Sequence, residues 1–269
     1  MIQRTKGAQS IVFAEAPYIM SSASVVGKKE SEGPLGELFD TFDETNLFWG
    51  GDRGNWQKAL CRGKRVCAHF HKANVTPEQV RYLFGGDLLR QGIATSMGAE
   101  SCRSAVGLFG ACSTSGEALA LAAMCVAAGY GERMLAVTSS HFGTAEKEFR
   151  FPLSYANQRP LSAQWTVTGS GAFLVGNKKS NVKITGLTIG KIVDYGLKDS
   201  QNMGACMAPA AADTIAVNLK DMGHSPEDYD RIITGDLGYV GQSILLDLMR
   251  KRKIDLTQNH MDCGMTIFN

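Results

Sequence analysis

The sequence holds 269 residues, 44% of them hydrophobic and 20% charged, enough apolar material for one large core or two small ones and too much for a disordered chain. Its 28 basic and 26 acidic residues leave a formal charge of +2, so no broad field argues for nucleic acid or for an anionic membrane surface as partner. Seven cysteines, at positions 61, 67, 102, 112, 125, 206 and 263, form an odd, scattered set that reads as reduced thiols and not as a disulfide framework.

The amino-terminal MIQRTKGAQSIVFAEAP has one short apolar stretch, Ile11 to Ala14, which does not form the apolar region of a signal or transit peptide and leads to the expectation of a cytoplasmic chain. The longest apolar run, Ala118 to Ala128, is too short to span a bilayer and suits a buried helix. Residues 50–73 contain Gly50, Gly51, Gly54 and Gly63 and are more basic than their surroundings, so local irregularity is expected there. Cys61, Cys67, His69 and His71 in this stretch are ligand types for zinc. Their Cys-x5-Cys-x-His-x-His spacing lacks the usual close cysteine pair, and no metal site is expected.

Residues 74–89, NVTPEQVRYLFGGDLL, and 223–238, GHSPEDYDRIITGDLG, match at one offset of 149: Pro77 falls on Pro226, Glu78 on Glu227, Gly86 on Gly235, Asp87 on Asp236 and Leu88 on Leu237. Each copy opens on a Thr or Ser cap before Pro, predicts a short helix, and runs through an apolar strand (Tyr82 to Phe84; Ile232 and Ile233) to Gly-Asp-Leu. A period this long suits a domain duplicated about a pseudo-twofold axis.

LFGACSTSGEALALAAMCVAAG, residues 108–129, places a strand end, then Cys112, then a helix rich in Ala and Leu. A thiol at a helix N-terminus meets unpaired amides and the positive end of the macrodipole, which favour a thiolate or an anionic ligand. Cys112 is accordingly a nucleophile, a pocket wall, or a small residue in a tight turn. Strands are predicted at 134–139, 170–175 and 182–189 and helices at 114–128 and 207–219. The strands are apolar without strict alternation and so are covered on both faces, giving a layered α/β architecture. His141, after the strand at 134–139, is a proton donor, a pocket wall or a structural imidazole. Arg150 and Arg159 flank the aromatic FRFPLSY segment. TGSGA, residues 168–172, is no complete dinucleotide fingerprint and precedes a strand. The polar GNKKSN at 176–181 predicts a boundary, dividing the chain into halves 1–177 and 178–269.

VFAEAPYIMSSASVVGKKESEGPLGELFD, FGGDLLRQ, LFGACSTSGEAL, AVTSSHFGTAEKEFRFPLSY, TVTGSGA, MGACMAPAAADTI, YDRIITGDLG and MDCGMTIF together resemble the stage V sporulation protein AD family, a non-enzymatic branch of the thiolase and β-ketoacyl synthase superfamily. The resemblance covers nearly the whole chain except residues 50–73 and 98–106. It implies a thiolase-like layered fold of two similar halves, the second truncated, because members continue past the point where this sequence stops, Asn269, into a second cysteine elbow that supplies part of the pocket. The histidine, asparagine or second cysteine needed for condensation would come from that later part, so condensation chemistry is not expected.

The ligand implied by the resemblance is dipicolinic acid, pyridine-2,6-dicarboxylate, handled as such or as its calcium chelate, with no resident cofactor. Its binding would serve uptake into the developing spore with membrane-embedded SpoVA proteins, and the protein would lie on the cytoplasmic side, peripheral to the spore inner membrane and with a homodimer as its assembly. The expected binding residues are Cys112, the amides of Ser113 and Thr114, His141, and Arg90 or Arg150 as a charged fork. Asp87 joins them if it is protonated, bridged by calcium or bonded to an amide, and is otherwise a turn cap. An acyl-transferring enzyme that forms a thioester on Cys112 is the alternative.

Overall fold

The computed structural model describes residues 4–43, 72, 74–89, 92–99, 102, 104–149 and 165–268. Its strands are β1 (Thr5–Lys6), β2 (Ser10–Val12), β3 (Tyr18–Gly27), β4 (Thr41–Asp43), β5 (Tyr82–Asp87), β6 (Ala105–Gly107), β7 (Arg133–Ser140), β8 (Gly169–Gly176), β9 (Val182–Lys183), β10 (Gly186–Thr188), β11 (Ile232–Thr234) and β12 (His260–Asp262). The helices are α1 (Lys28–Ser31), α2 (Ile93–Gly98), α3 (Thr114–Ala127), α4 (Phe142–Phe149), α5 (Met203–Met222), α6 (Gly238–Lys251) and α7 (Cys263–Phe268). The irregular stretch expected at 50–73, with its cysteines and histidines, lies outside the described residues apart from Lys72.

By packing, the chain divides into two units interleaved in sequence. One is formed by Phe13–Ala145 and Thr166–Thr185, the other by Met1–Val12, Glu146–Trp165 and Gly186–Asn269. Packing units and repeated halves are different properties, so the division into 1–177 and 178–269 stands as an expectation.

The first unit is built on a mixed seven-stranded sheet of order β4-β3-β8-β7-β5-β6, with β9 beside β3. Adjacent residues of each strand face opposite layers. Leu83, Leu135 and Leu174 pack with Val75, Val80, Val137 and Ala99 on one face, whereas Phe84, Met134, Ala136 and Val175 meet α3 on the other. Leu83, Leu135 and Leu174 are at most 1% exposed, worth roughly 2 kcal/mol of burial each. Helix α3 turns Thr114, Ala118, Ala122, Ala123 and Val126 inward, and the alanines at spacings of four let it lie close on the strands.

In the second unit α5 packs on α6 around Ala208, Ala212, Leu245, Met249 and Leu256. Their contact is backbone to backbone at Gly204 and Gly241: a Cβ on Gly204 would come within 2.2 Å of the Leu237 carbonyl oxygen. Helix α5 exceeds the predicted 207–219 at both ends. Asn202 Oδ1 accepts from Ala205 N at 3.1 Å at its start, and Gly223 ends it with φ +71°, a conformation glycine adopts without strain.

The predicted strand 182–189 is two strands. Ile184 N donates to Pro17 O between β9, which pairs with β3, and β10, which pairs with β2. The short helices predicted after Thr76 and Ser225 are single 3-10 turns, each held by a capping box. The duplicated pattern nevertheless survives, each turn feeding a strand (β5, β11) with a parallel neighbour (β7, β12).

Candidate functional site

Strands β5, β6 and β7 run parallel, so their carboxyl ends share one edge of the sheet, where ligands gather in open α/β sheets. Asp87 ends β5, the Cys112 turn follows β6, and His141 follows β7 directly. The topology thus brings three of the residues singled out in the sequence to one place. Arg90, Arg150 and Arg159 lie outside the described residues.

Between β6 and α3 the chain makes one 3-10 turn, Ala111–Ser113. Ala111 adopts φ +52°, a left-handed conformation that costs a residue with a Cβ about 1 kcal/mol. The turn is pressed against β5: Leu108 N donates to Gly85 O at 2.8 Å, and a Cβ on Gly86 would sit 2.2 Å from Leu108 O. Cys112 is exposed at this edge.

The amides of Ser113 and Thr114, expected to receive a ligand carboxylate, are engaged within the turn. Ser113 N donates to Gly110 O at 3.2 Å and Thr114 N to Ala111 O. The physical reason is the 3-10 turn, which pairs the amides that an α-helix starting at Cys112 would leave open. The Ser113 hydroxyl donates to the Glu117 carboxylate, placing an acid beside Cys112 that the sequence reading missed. Thr114 is 1% exposed, and its Oγ1 has no hydrogen-bond partner among the described residues.

Asp87, buried, accepts from Ala94 N at 2.9 Å, Thr95 N at 3.1 Å, Thr95 Oγ1 at 2.7 Å and Ser139 Oγ at 2.8 Å. Both carboxylate oxygens are therefore occupied in capping α2 and tying it to β7. The repeat transposes this device. In the second copy Asp262 of β12 caps α6 through Leu237 N at 2.8 Å and Gly238 N at 3.3 Å, and takes a hydroxyl from Thr234, its partner on β11, at 3.2 Å. Asp236, the sequence equivalent of Asp87, is not the cap.

The family model described as Stage V sporulation protein AD (SpoVAD) matches residues 7–269. The chain belongs to the stage V sporulation protein AD family. The Stage V sporulation protein AD of Bacillus subtilis (strain 168) is 40% identical over 266 residues, covering 97% of this chain and 78% of that protein. The family has a thiolase-like fold. Xanthomonas campestris OleA E117Q bound with cerulenin superposes with a TM-score of 0.63 at 11% identity, over 95% of this chain and 84% of the other. The 3-oxoacyl-[acyl-carrier-protein] synthase III of Aquifex aeolicus VF5 gives 0.54 at 13% identity, over 94% and 88%. At those identities the likeness is one of fold.

His141 has Thr144 N donating to its Nδ1 at 3.4 Å, which leaves the proton of the neutral ring on Nε2. Burial pushes the imidazole down to about 4 from 6.5, because the charged form loses its hydration. The unfolded chain then takes up a proton near pH 6.5 and the folded chain only near pH 4, so stability is full above pH 6.5 and is lost as pH falls through that window. Because the ring is only partly buried, solvent screening holds the expected loss to about 1 kcal/mol by pH 5, read as a shift of the urea midpoint between pH 7 and pH 5. His141→Gln is expected to remove most of it, and an equal loss in both proteins would refute the assignment.

Among the described residues no group of three or more His, Cys, Asp or Glu is arranged to hold a metal ion, and no described helix is long and apolar enough to cross a membrane. Glu30 and Thr168 are also missed by sequence reading. Both are buried and join across 138 positions, a pairing with no local signal.

Proposed function

We propose that this protein binds dipicolinic acid at the carboxyl edge of the β5-β6-β7 strands, beside Cys112, and serves its uptake into the developing spore. The observation that carries the reading is the exposed, strained Cys112 turn set at the one edge where Asp87 and His141 also converge. With Asp87 and the Ser113 and Thr114 amides engaged internally, the ligand meets Cys112 and the edge of His141, and the sequence offers Arg90 or Arg150, outside the described residues, as cationic partners for its two carboxylates. Glu117 beside the turn favours the calcium chelate over the bare dianion, because like charges repel. Membrane-embedded SpoVA proteins are the partners that would hold it at the cytoplasmic side of the spore inner membrane, as a homodimer.

Exposure of Cys112 also suits acyl transfer, in which its thiolate attacks an acyl thioester and expels coenzyme A. Calorimetric titration with dipicolinate, with and without calcium, separates the two. Saturable binding is expected for the wild type and for Cys112→Ser. Cys112→Tyr is expected to weaken it at least about tenfold with little change in Tm, since the residue is exposed. A stable mass increase on Cys112 after incubation with acyl-coenzyme A, together with no heat from dipicolinate, would replace this reading by the enzymatic one.

A further inference from the structure

The residues on either side of His141 are both tied to one dipeptide, 167–168. Ser140 Oγ donates to Val167 O at 2.6 Å and Phe142 N donates to Thr168 Oγ1 at 3.0 Å. That dipeptide lies immediately before β8, where Ser140 pairs with Gly169 and Val26 of β3 with the same glycine. Thr168 is bound in turn at both main-chain groups by the end of β3 and the start of α1. Gly27 N donates to Thr168 O at 2.9 Å, and Thr168 N donates to Glu30 Oε1 at 2.9 Å.

Glu30 is 2% exposed and Thr168 7%. A carboxylate so deep in a protein is costly to bury and is retained where its hydrogen bonds fix something. Here what it fixes is the position of residues 167 and 168, and through them the loop that carries His141 at the carboxyl edge. We propose that Glu30 is the positioning residue for His141, acting through Thr168. Glu30 does not itself reach the ligand: its role is to deny the His141 loop the freedom that a lone strand end would have. What the held imidazole does, contact with a dicarboxylate, rests on the function proposed above; the holding itself does not.

The test uses the full chain, with the ring Cε1–Hε1 NMR resonance of His141 assigned by its loss in His141→Gln. Glu30→Leu removes the acceptor for Thr168 N, and the His141 resonance is expected to shift and its titration midpoint to move up toward an ordinary histidine. Dipicolinate affinity should fall about tenfold. Glu30→Gln restores a carbonyl acceptor, so its resonance and affinity are expected within about threefold of wild-type behaviour. Thr168→Val, which keeps the amide to Glu30 and deletes only the acceptor for Phe142 N, is expected to move the same resonance and serves if Glu30→Leu does not fold. An unmoved His141 resonance in Thr168→Val, or in a folded Glu30→Leu, overturns the proposal. A moved resonance in a protein that takes up no dipicolinate upholds the positioning role and removes the ligand reading alone.

Discussion

Gly86→Ala is expected to destabilise the protein by roughly 3 kcal/mol, at the upper end of what one added methyl does in a packed core, and to abolish measurable dipicolinate binding. The added Cβ would lie 2.2 Å from the Leu108 carbonyl oxygen and 2.9 Å from Thr114 Cγ2. Neither is the far end of a flexible side chain: one is backbone entering the Cys112 turn, the other a 1%-exposed residue in the first turn of α3. Relief therefore requires the turn to move away from β5, breaking the Leu108 N to Gly85 O bond and releasing Ala111 from its left-handed conformation. The check is urea denaturation, with a lower midpoint at unchanged slope. Gly116→Ala is the control, since a Cβ there meets nothing within 4 Å. In the first turn of α3 it should leave stability unchanged or raise it by up to about 0.5 kcal/mol. Equal stability of Gly86→Ala and wild type would show that the turn is not seated as described.

Asp87→Ala is expected to cost about 3–4 kcal/mol, because it strands Ala94 N, Thr95 N and two hydroxyls in a buried setting where each lost acceptor costs on the order of 1 kcal/mol or more. Asp87→Asn keeps one acceptor oxygen and adds donors with no place to go, so it should fall between wild type and Asp87→Ala. Hydrogen exchange should localise the damage: the amides of Ala94 and Thr95 lose protection first, then the rest of α2. If Ala94 and Thr95 keep full protection in Asp87→Ala, the capping role is wrong and a ligand role for Asp87 gains ground.

The elements legible in the sequence were those with uninterrupted apolar runs. The helix from Thr114, the strand around 134–139 and the strand around 170–175 were each predicted to within about two residues, because core burial on both sides leaves a compositional trace that needs no partner to be recognised. Elements defined by a partner were not legible. Whether 182–189 is one strand or two depends on which sheet each piece joins, and nothing in the local sequence marks the break at Ile184. The repeat was legible as a spacing. Its chemistry was not, since the capping carboxylate moved from one strand of the parallel pair to the other while Asp236 kept the matching position.

At the site, the convergence of Asp87, Cys112 and His141 follows from strand direction once the three strands are known. The engagement of the Ser113 and Thr114 amides hinges on one turn being 3-10 in place of α, a difference of a single residue in hydrogen-bond register. Glu30 and Thr168 lay beyond reach for a different reason. A residue 138 positions from its partner carries no periodicity, and a buried glutamate in a short helix reads as a surface charge.

The interleaving of the two units also dictates an order of events during synthesis. Strand β2 closes its sheet only with β10, and Gln9 and Ser10 bond to Asp221, more than two hundred residues downstream. At typical translation speeds the amino-terminal dozen residues wait roughly 10–40 s on the ribosome for that partner. For that interval β2 lacks its β10 partner and presents an open strand edge, and chaperone occupancy or misassembly is concentrated there.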